Sequence, residues 1–214
     1  MEAIFFMSYF LHKSPFWLRS LFPKYIWRQP IVKGKPSIYL TFDDGPIPEI
    51  TPWVLDQLAA YQAQATFFCI GDNVRKHPAV FRRLQADGHS IGNHTFNHLK
   101  GWETATSTYV DNARKCEDYF QTNLFRPPYG RIKKAQAEIL SRANYKIIMW
   151  DVLVGDWSAN LTSEDCLKAC LKHSRDGSII VFHDSLKAEE KLRYVLPKVL
   201  KHFSQLGYSF KALN

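Results

Sequence analysis

Short apolar runs that each end on a polar side chain recur along this chain, separated by stretches with helical periodicity. Ile38-Tyr39-Leu40 runs into Thr41-Phe42-Asp43-Asp44-Gly45-Pro46, where Gly-Pro stops the strand. Ala65 to Ile70 predicts a second strand and Ser90-Ile91 a third, the latter leading into Gly92-Asn93-His94-Thr95-Phe96-Asn97-His98. A further strand end precedes Phe125-Arg126-Pro127-Pro128-Tyr129-Gly130. Lys146 to Trp150 enters a loop holding Asp151, Asp156 and Trp157, and Ser178 to Phe182 ends on His183. Between these runs, Thr51 as N-cap with Pro52 at N1 predicts a helix to about Ala63. Helices follow over Pro78 to Ala86, closed by Gly88, and over roughly Thr106 to Phe120, Lys133 to Ala143 and Ser163 to Lys172. The last helix, Glu189 to Gln205, carries Pro197, which predicts a kink or break. Alternating strands and helices specify an α/β fold, with the polar strand ends gathered at the carboxyl end of a parallel barrel.

The polar strand ends carry chemistry. Adjacent residues of a strand project to opposite faces, so Asp43 and Asp44 are expected to point differently, one to a metal and one free to take a proton. The plain alternative is a polar Asp-Gly turn. His94 and His98, four apart, are expected on one face of a helical turn, where they join an Asp to hold one divalent ion with open positions. Arg126 is a permanent cation at a strand end; its plain reading is an ordinary ion pair. His183 needs a carboxylate partner, for which Asp156 and Asp151 compete, with its place before Trp157 favouring Asp156. Asp156 as a helix cap and Trp157 as core are the structural alternatives. His12, His77, His89, His173 and His202 lack motif context and read as surface or structural.

Thr-Phe-Asp-Asp-Gly, His-Thr-x-x-His, Arg-x-Pro-Tyr, Asp-Trp and an aliphatic strand ending in His occur in this order from Thr41 to His183. Together they resemble the polysaccharide deacetylase family, the NodB-homology group of carbohydrate esterase family 4. The resemblance implies a single distorted (β/α) barrel of about seven strands, with residues 37–214 as the deacetylase domain and 1–36 as a basic, aromatic extension packed on it. It implies metal ligands Asp44, His94 and His98, general base Asp43 paired with Arg126, and general acid His183 oriented by Asp156. A backbone N–H near Tyr129 is implied as an oxyanion donor, and Trp157 with Val181 as the slot for the acetyl methyl. The implied cofactor is one divalent ion, Zn²⁺ first, with Co²⁺, Ni²⁺ or Mn²⁺ able to substitute. The implied activity is removal of N-acetyl groups from an amino-sugar glycan or glycoconjugate. An O-acetyl esterase, a formamide or cyclic-amide hydrolase on the same site, or a silent glycan-binding barrel, are the alternatives.

Length and an apolar content of 46% over 214 residues suit one domain. Cys69, Cys116, Cys166 and Cys170 are expected as reduced, packed thiols. Twenty-eight lysines and arginines against 20 acids give a net charge of +8, yet no nucleic-acid module is present, so no nucleic-acid partner is expected. A monomer is expected. Six cations from Lys13 to Lys35 and the aromatic run Phe16-Trp17-Leu18-Arg19-Ser20-Leu21-Phe22 mark the extension. Packing across the barrel bottom and contact with a membrane surface are its two readings. Ile4 to Leu11 is too short to span a bilayer and lacks a cleavage site, so a cytoplasmic or peripheral membrane location is expected.

Overall fold

In the computed structural model residues 10–31 and 33–214 are described; the apolar run that begins at Ile4 lies outside them up to Tyr9. The elements in chain order are α1 (Phe16–Leu21), β1 (Ser37–Asp43), α2 (Thr51–Ala59), β2 (Thr66–Cys69), α3 (Gly71–Lys76), α4 (Pro78–Ala86) and β3 (Ser90–Asn93). There follow α5 (Thr106–Arg114), β4 (Leu124–Phe125), α6 (Lys134–Arg142), β5 (Lys146–Ile147), β6 (Val152–Leu153), α7 (Ser163–His173), β7 (Ile179–His183), α8 (Glu189–Gln205) and β8 (Ser209–Phe210). Strand order is β5-β4-β3-β2-β1-β7-β6, and β8 adds to the start of β1. Every ladder is parallel, so the carboxyl ends of β1, β2, β3, β4 and β7 lie on one side. The seven strands curl into a half-barrel covered by helices.

Burial explains the arrangement. β1 is buried almost throughout, as a central parallel strand with both faces covered must be. Phe42 stacks between Phe67 of β2 and Phe182 of β7, tying the three central strands together. Helix α8 buries Leu192, Val195, Leu196, Val199, Leu200 and Phe203, a single stripe at helical spacing. That stripe runs past Pro197 without a break, contrary to the sequence expectation. An interior proline costs about 3 kcal/mol, and burying Val199, Leu200 and Phe203 beyond it returns about 1.5–3 kcal/mol each.

Other boundaries also differ. Thr51 is the first residue of α2 rather than its cap, and the helix stops at Ala59. The helix from Thr106 yields at Lys115 to a 3₁₀ turn through Asp118. Beyond β5, Ile148 continues the edge only as a bridge to Ile26. Strands β6 and β8, two residues each, and the short α3 are too brief for any periodicity to reveal.

The segment from His12 to Arg28 reaches from one sheet edge to the other. Lys13 bridges Val152 of β6, Ile26 bridges Ile148 beyond β5, and Arg28 bridges Ser178 before β7. Asp151 is the buried anchor: its Oδ2 accepts from Ser178 Oγ at 2.7 Å and lies 3.2 Å from Arg28 Nε, with Arg19 Nη1 3.8 Å from Oδ1. Asp151 is thereby removed as a partner for His183. All four cysteines are buried free thiols.

Candidate active site

Asp43 closes β1 in register with His183 of β7, which puts an acid and a histidine side by side on neighbouring parallel strands. Asp44 does not continue the strand. Its φ of 84° turns the chain into the left-handed region, so a backbone turn rather than strand alternation separates the two carboxylates. Gly45 follows because a Cβ there would collide with the Asp184 carboxylate. Asp184 braces the turn: its Oδ1 accepts from Gly45 N–H at 3.0 Å, its Oδ2 lies 2.5 Å from Thr51 Oγ1, and its own N–H donates to Asp43 O. Burial pushes its carboxyl up to about 8.

Arg126 is fully buried behind Asp43. Its Nη1 donates to Asp43 Oδ1 and to Thr41 Oγ1, both at 2.7 Å, while Nη2 and Nε donate to the carbonyls of Met149 and Ile148. The guanidinium lies 4.0 Å from the centre of the Phe68 ring. With its donors engaged on several sides, the cation cannot swing away from Asp43.

His94 and His98 sit on a loop, not on a helical turn, and both Thr95 and His98 have positive φ. Side chains hold the loop: Asn93 Oδ1 accepts from Thr95 N–H, Asn112 Oδ1 from Phe96 and Asn97 N–H, and Thr95 Oγ1 from Leu99 N–H. His94 Nδ1 is 2.8 Å from Arg126 O, so it carries the proton and Nε2 is left as a lone pair. Burial, opposed by the nearby aspartates, lowers the His94 pKa to about 4, which keeps that ring neutral. Its Nε2 lies 3.8 Å from Asp44 Oδ1, and His98 Nε2 lies 3.2 Å from the same oxygen. That oxygen is buried with no hydrogen-bond partner. Burial works to raise the Asp44 pKa, but the His98 contact and the charge of nearby His183 outweigh it and hold the group well below the usual carboxylate range. The three ligand atoms lie within 4.8 Å of one another. A carboxylate oxygen facing a neutral imidazole lone pair, with no donor between them, is the donor set a divalent cation completes.

Across the cleft, His183 Nδ1 lies 2.9 Å from Asp156 Oδ1, and His183 N–H donates to Asp156 Oδ2 at 2.8 Å. Asp156 is completely buried and bound to both the ring and the backbone of the same residue. Burial of the imidazole opposes its charge, but the Asp156 carboxylate outweighs it and raises His183 to about 9. The Trp157 ring packs 4.5 Å from the imidazole, between centroids. Val181, Leu153 and Trp157 form an apolar wall beside His183. Tyr129, held at φ 60° and largely exposed, lies on the opposite wall 4.7 Å from the His98 ring, and its N–H donates to no group among the described residues. Every candidate side chain except buried Arg126 and Asp156 lines one open cleft of about 850 Å³. The cleft therefore brings together a triad that could hold a cation, a carboxylate fixed by a buried arginine and an imidazole paired with a buried carboxylate.

Sequence reasoning missed Asp184 and Thr51 as the brace of the Asp43–Gly45 turn. Asp184 follows His183 directly, and an acid next to a strand-end histidine was the available signal. Nothing in the sequence marks Thr51 as its partner.

A family model for polysaccharide deacetylases matches residues 31–148. The chain is 34% identical over 195 residues to a peptidoglycan-N-acetylglucosamine deacetylase of Bacillus cereus, covering 88% of this chain and 90% of that protein. It is 34% identical over 189 residues to a chitooligosaccharide deacetylase of Azorhizobium caulinodans, covering 78% and 90%. Among solved structures, a peptidoglycan N-acetylglucosamine deacetylase in complex with 4-naphthalen-1-yl-N-oxidanyl-benzamide matches with a TM-score of 0.81 at 28% identity, over 94% of this chain and 95% of the other. A carbohydrate esterase family 4 pseudoenzyme from Bacillus anthracis has the same fold, with a TM-score of 0.77 at 21% identity, over 92% and 69% of the two chains. Since that architecture also carries inactive proteins, the side chains in the cleft have to carry the functional argument.

Proposed function

The chain belongs to the polysaccharide deacetylase family, and on that premise we propose that it is a metal-dependent hydrolase that removes N-acetyl groups from an amino-sugar glycan. The observation that carries this reading is the partnerless Asp44 oxygen facing His94 and His98, on the same cleft as the Asp43–Arg126 and His183–Asp156 pairs. Asp44, His94 and His98 would hold the ion, with Zn²⁺ the best match to a His₂Asp donor set and Co²⁺, Ni²⁺ or Mn²⁺ able to replace it. When bound, such an ion polarises the amide carbonyl and lowers the pKa of water.

The chain's own residues then divide the proton transfers. Asp43, fixed by Arg126, takes a proton from the attacking water. The N–H of Tyr129 donates to the oxyanion that develops on the carbonyl oxygen. His183, bound through Nδ1 to Asp156, gives its Nε2 proton to the amide nitrogen as the C–N bond breaks. The nascent acetic acid passes its proton to the amine, so acetate and an ammonium group leave, and the proton on Asp43 returns through water to His183. The apolar wall of Val181, Leu153 and Trp157 takes the acetyl methyl. The relatives named above favour N-acetylglucosamine polymers, of the peptidoglycan or chitooligosaccharide kind, as substrates.

Acetate release from N-acetylated and O-acetylated glycans, by Zn²⁺-reconstituted protein, a chelated control and Asp43→Asn, tests the proposal. Release from N-acetyl sugars is expected, absent after chelation and lowered about 10²- to 10⁴-fold in Asp43→Asn. Release from esters alone would reassign the chain as an O-acetyl esterase. No release by protein shown to hold its metal would make it a glycan-binding barrel.

A further inference from the structure

The extension packs Leu18, Tyr25, Ile26 and Trp27 inward and is tied down by polar groups, yet it also turns several large apolar side chains outward. Arg19 and Arg28 converge on buried Asp151, Ser14 Oγ donates to Trp150 O, and Ile26 exchanges backbone hydrogen bonds with Ile147 and Met149. These contacts fix the path of the chain, and Trp27 packs inward beneath it. No residue of α1 is buried. Phe16 is 76% exposed, Trp17 63% and Leu21 66%, and Phe22 beside them is exposed too. Four neighbouring large apolar side chains held open to water on a fixed support mark a contact surface rather than scattered exposure.

Charge decides what that surface meets. From Phe10 to Phe42 the chain has no acidic residue, while Lys13, Arg19, Lys24, Arg28, Lys33 and Lys35 are cationic. Lys24, Lys33 and Lys35 are exposed, and Lys13 is partly so. Helix α6, which shares a groove with Leu21 to Tyr25, adds Lys134 and Arg142 against Glu138. A second copy docked on the same face would set cations against cations with little acid to pair them. An exposed Trp and Phe cluster on a segment rich in cations and free of acids, with Lys24 and Lys134 beside Leu21 and Phe22, is what an anionic lipid surface takes up: rings at the headgroup boundary, ammonium groups on phosphates. No described helix is long and apolar enough to cross a membrane, so the contact is peripheral.

We propose that α1 and its flanks, centred on Phe16, Trp17, Leu21, Phe22 and Lys24, dock this protein onto an anionic bilayer. The anchors Asp151 and Ser178 precede β6 and β7, whereas Asp43 and His183 are the last residues of β1 and β7. The docking proposal does not depend on the reading of the active site.

Flotation of the full chain with phosphatidylcholine vesicles, with and without phosphatidylglycerol, tests the proposal. Binding is expected only with phosphatidylglycerol, weakening as salt rises, and falling about tenfold or more in the double variant Phe16→Asp/Trp17→Asp. Both positions are exposed, so circular dichroism and zinc content of that variant should match wild type. The proposal is overturned if the wild type does not float with anionic vesicles. It is equally overturned if the double variant floats undiminished, or if the only effect of the variant is to abolish self-association in sedimentation.

Discussion

Asp43 ends β1 with its carboxylate against a buried guanidinium, whereas Asp44, one residue on, leaves the strand and carries an oxygen that no donor reaches. The same contrast extends across the cleft. Asp43–Arg126 and Asp156–His183 are closed pairs in which each buried charge meets its opposite through the chain itself. Asp44, His94 and His98 form an open set in which the Asp44 oxygen, without a hydrogen-bond partner, faces the His94 lone pair. Closed pairs hold a charge in one place and one protonation state, as proton transfer needs. An open set of acceptors is stable only when a cation is added. Two aspartates adjacent in sequence are thus given different chemistry by one left-handed residue and the arginine behind the strand.

The contrast can be broken hardest on its closed side. Arg126→Met leaves Asp43 buried without its cation and is expected to cost about 3–5 kcal/mol of folding stability in urea denaturation. Asp44→Ala in metal-stripped protein removes a carboxylate that had no donor, and should cost clearly less. Equal losses in the two variants would erase the distinction. Next in size, Asp156→Asn removes the charge that raises His183 to about 9. The proton His183 must donate is then lost at lower pH, so the basic limb of the kcat/KM profile should move toward acid, with activity down about 10²-fold. A smaller effect is expected at the brace. Asp184→Ala should lose about 1–3 kcal/mol by leaving the Gly45 N–H and the Thr51 hydroxyl unmatched. With a folded pKa near 8 against an ordinary 3.8, the contribution of Asp184 to wild-type stability is present in full below 3.8 and lost as pH rises through about 8. Asp184→Asn should lack that pH dependence in metal-stripped protein; the two denaturation series compared across this range decide it.

Much of the fold was legible because central parallel strands are continuous apolar runs, and β1, β2 and β7 have that form. The site side chains stand out for a related reason, since a charge at the end of a buried strand has few structural uses. Short elements escaped: β6 and β8 have two residues each, and α3 is held by backbone contacts to the histidine loop rather than by an apolar stripe. The helical turn expected for His94 and His98 failed because spacing alone does not separate a helix from a loop held by Asn93 and Asn112. The choice between Asp151 and Asp156 needed three dimensions: one anchors the extension and the other holds His183.

Calorimetric titration of metal-stripped protein with Zn²⁺, in wild type, Asp44→Ala and Asp43→Asn, tests the central distinction most directly. The account predicts one site per chain in wild type and Asp43→Asn, and none in Asp44→Ala. Binding that survives Asp44→Ala, or that is lost as completely in Asp43→Asn, would contradict it.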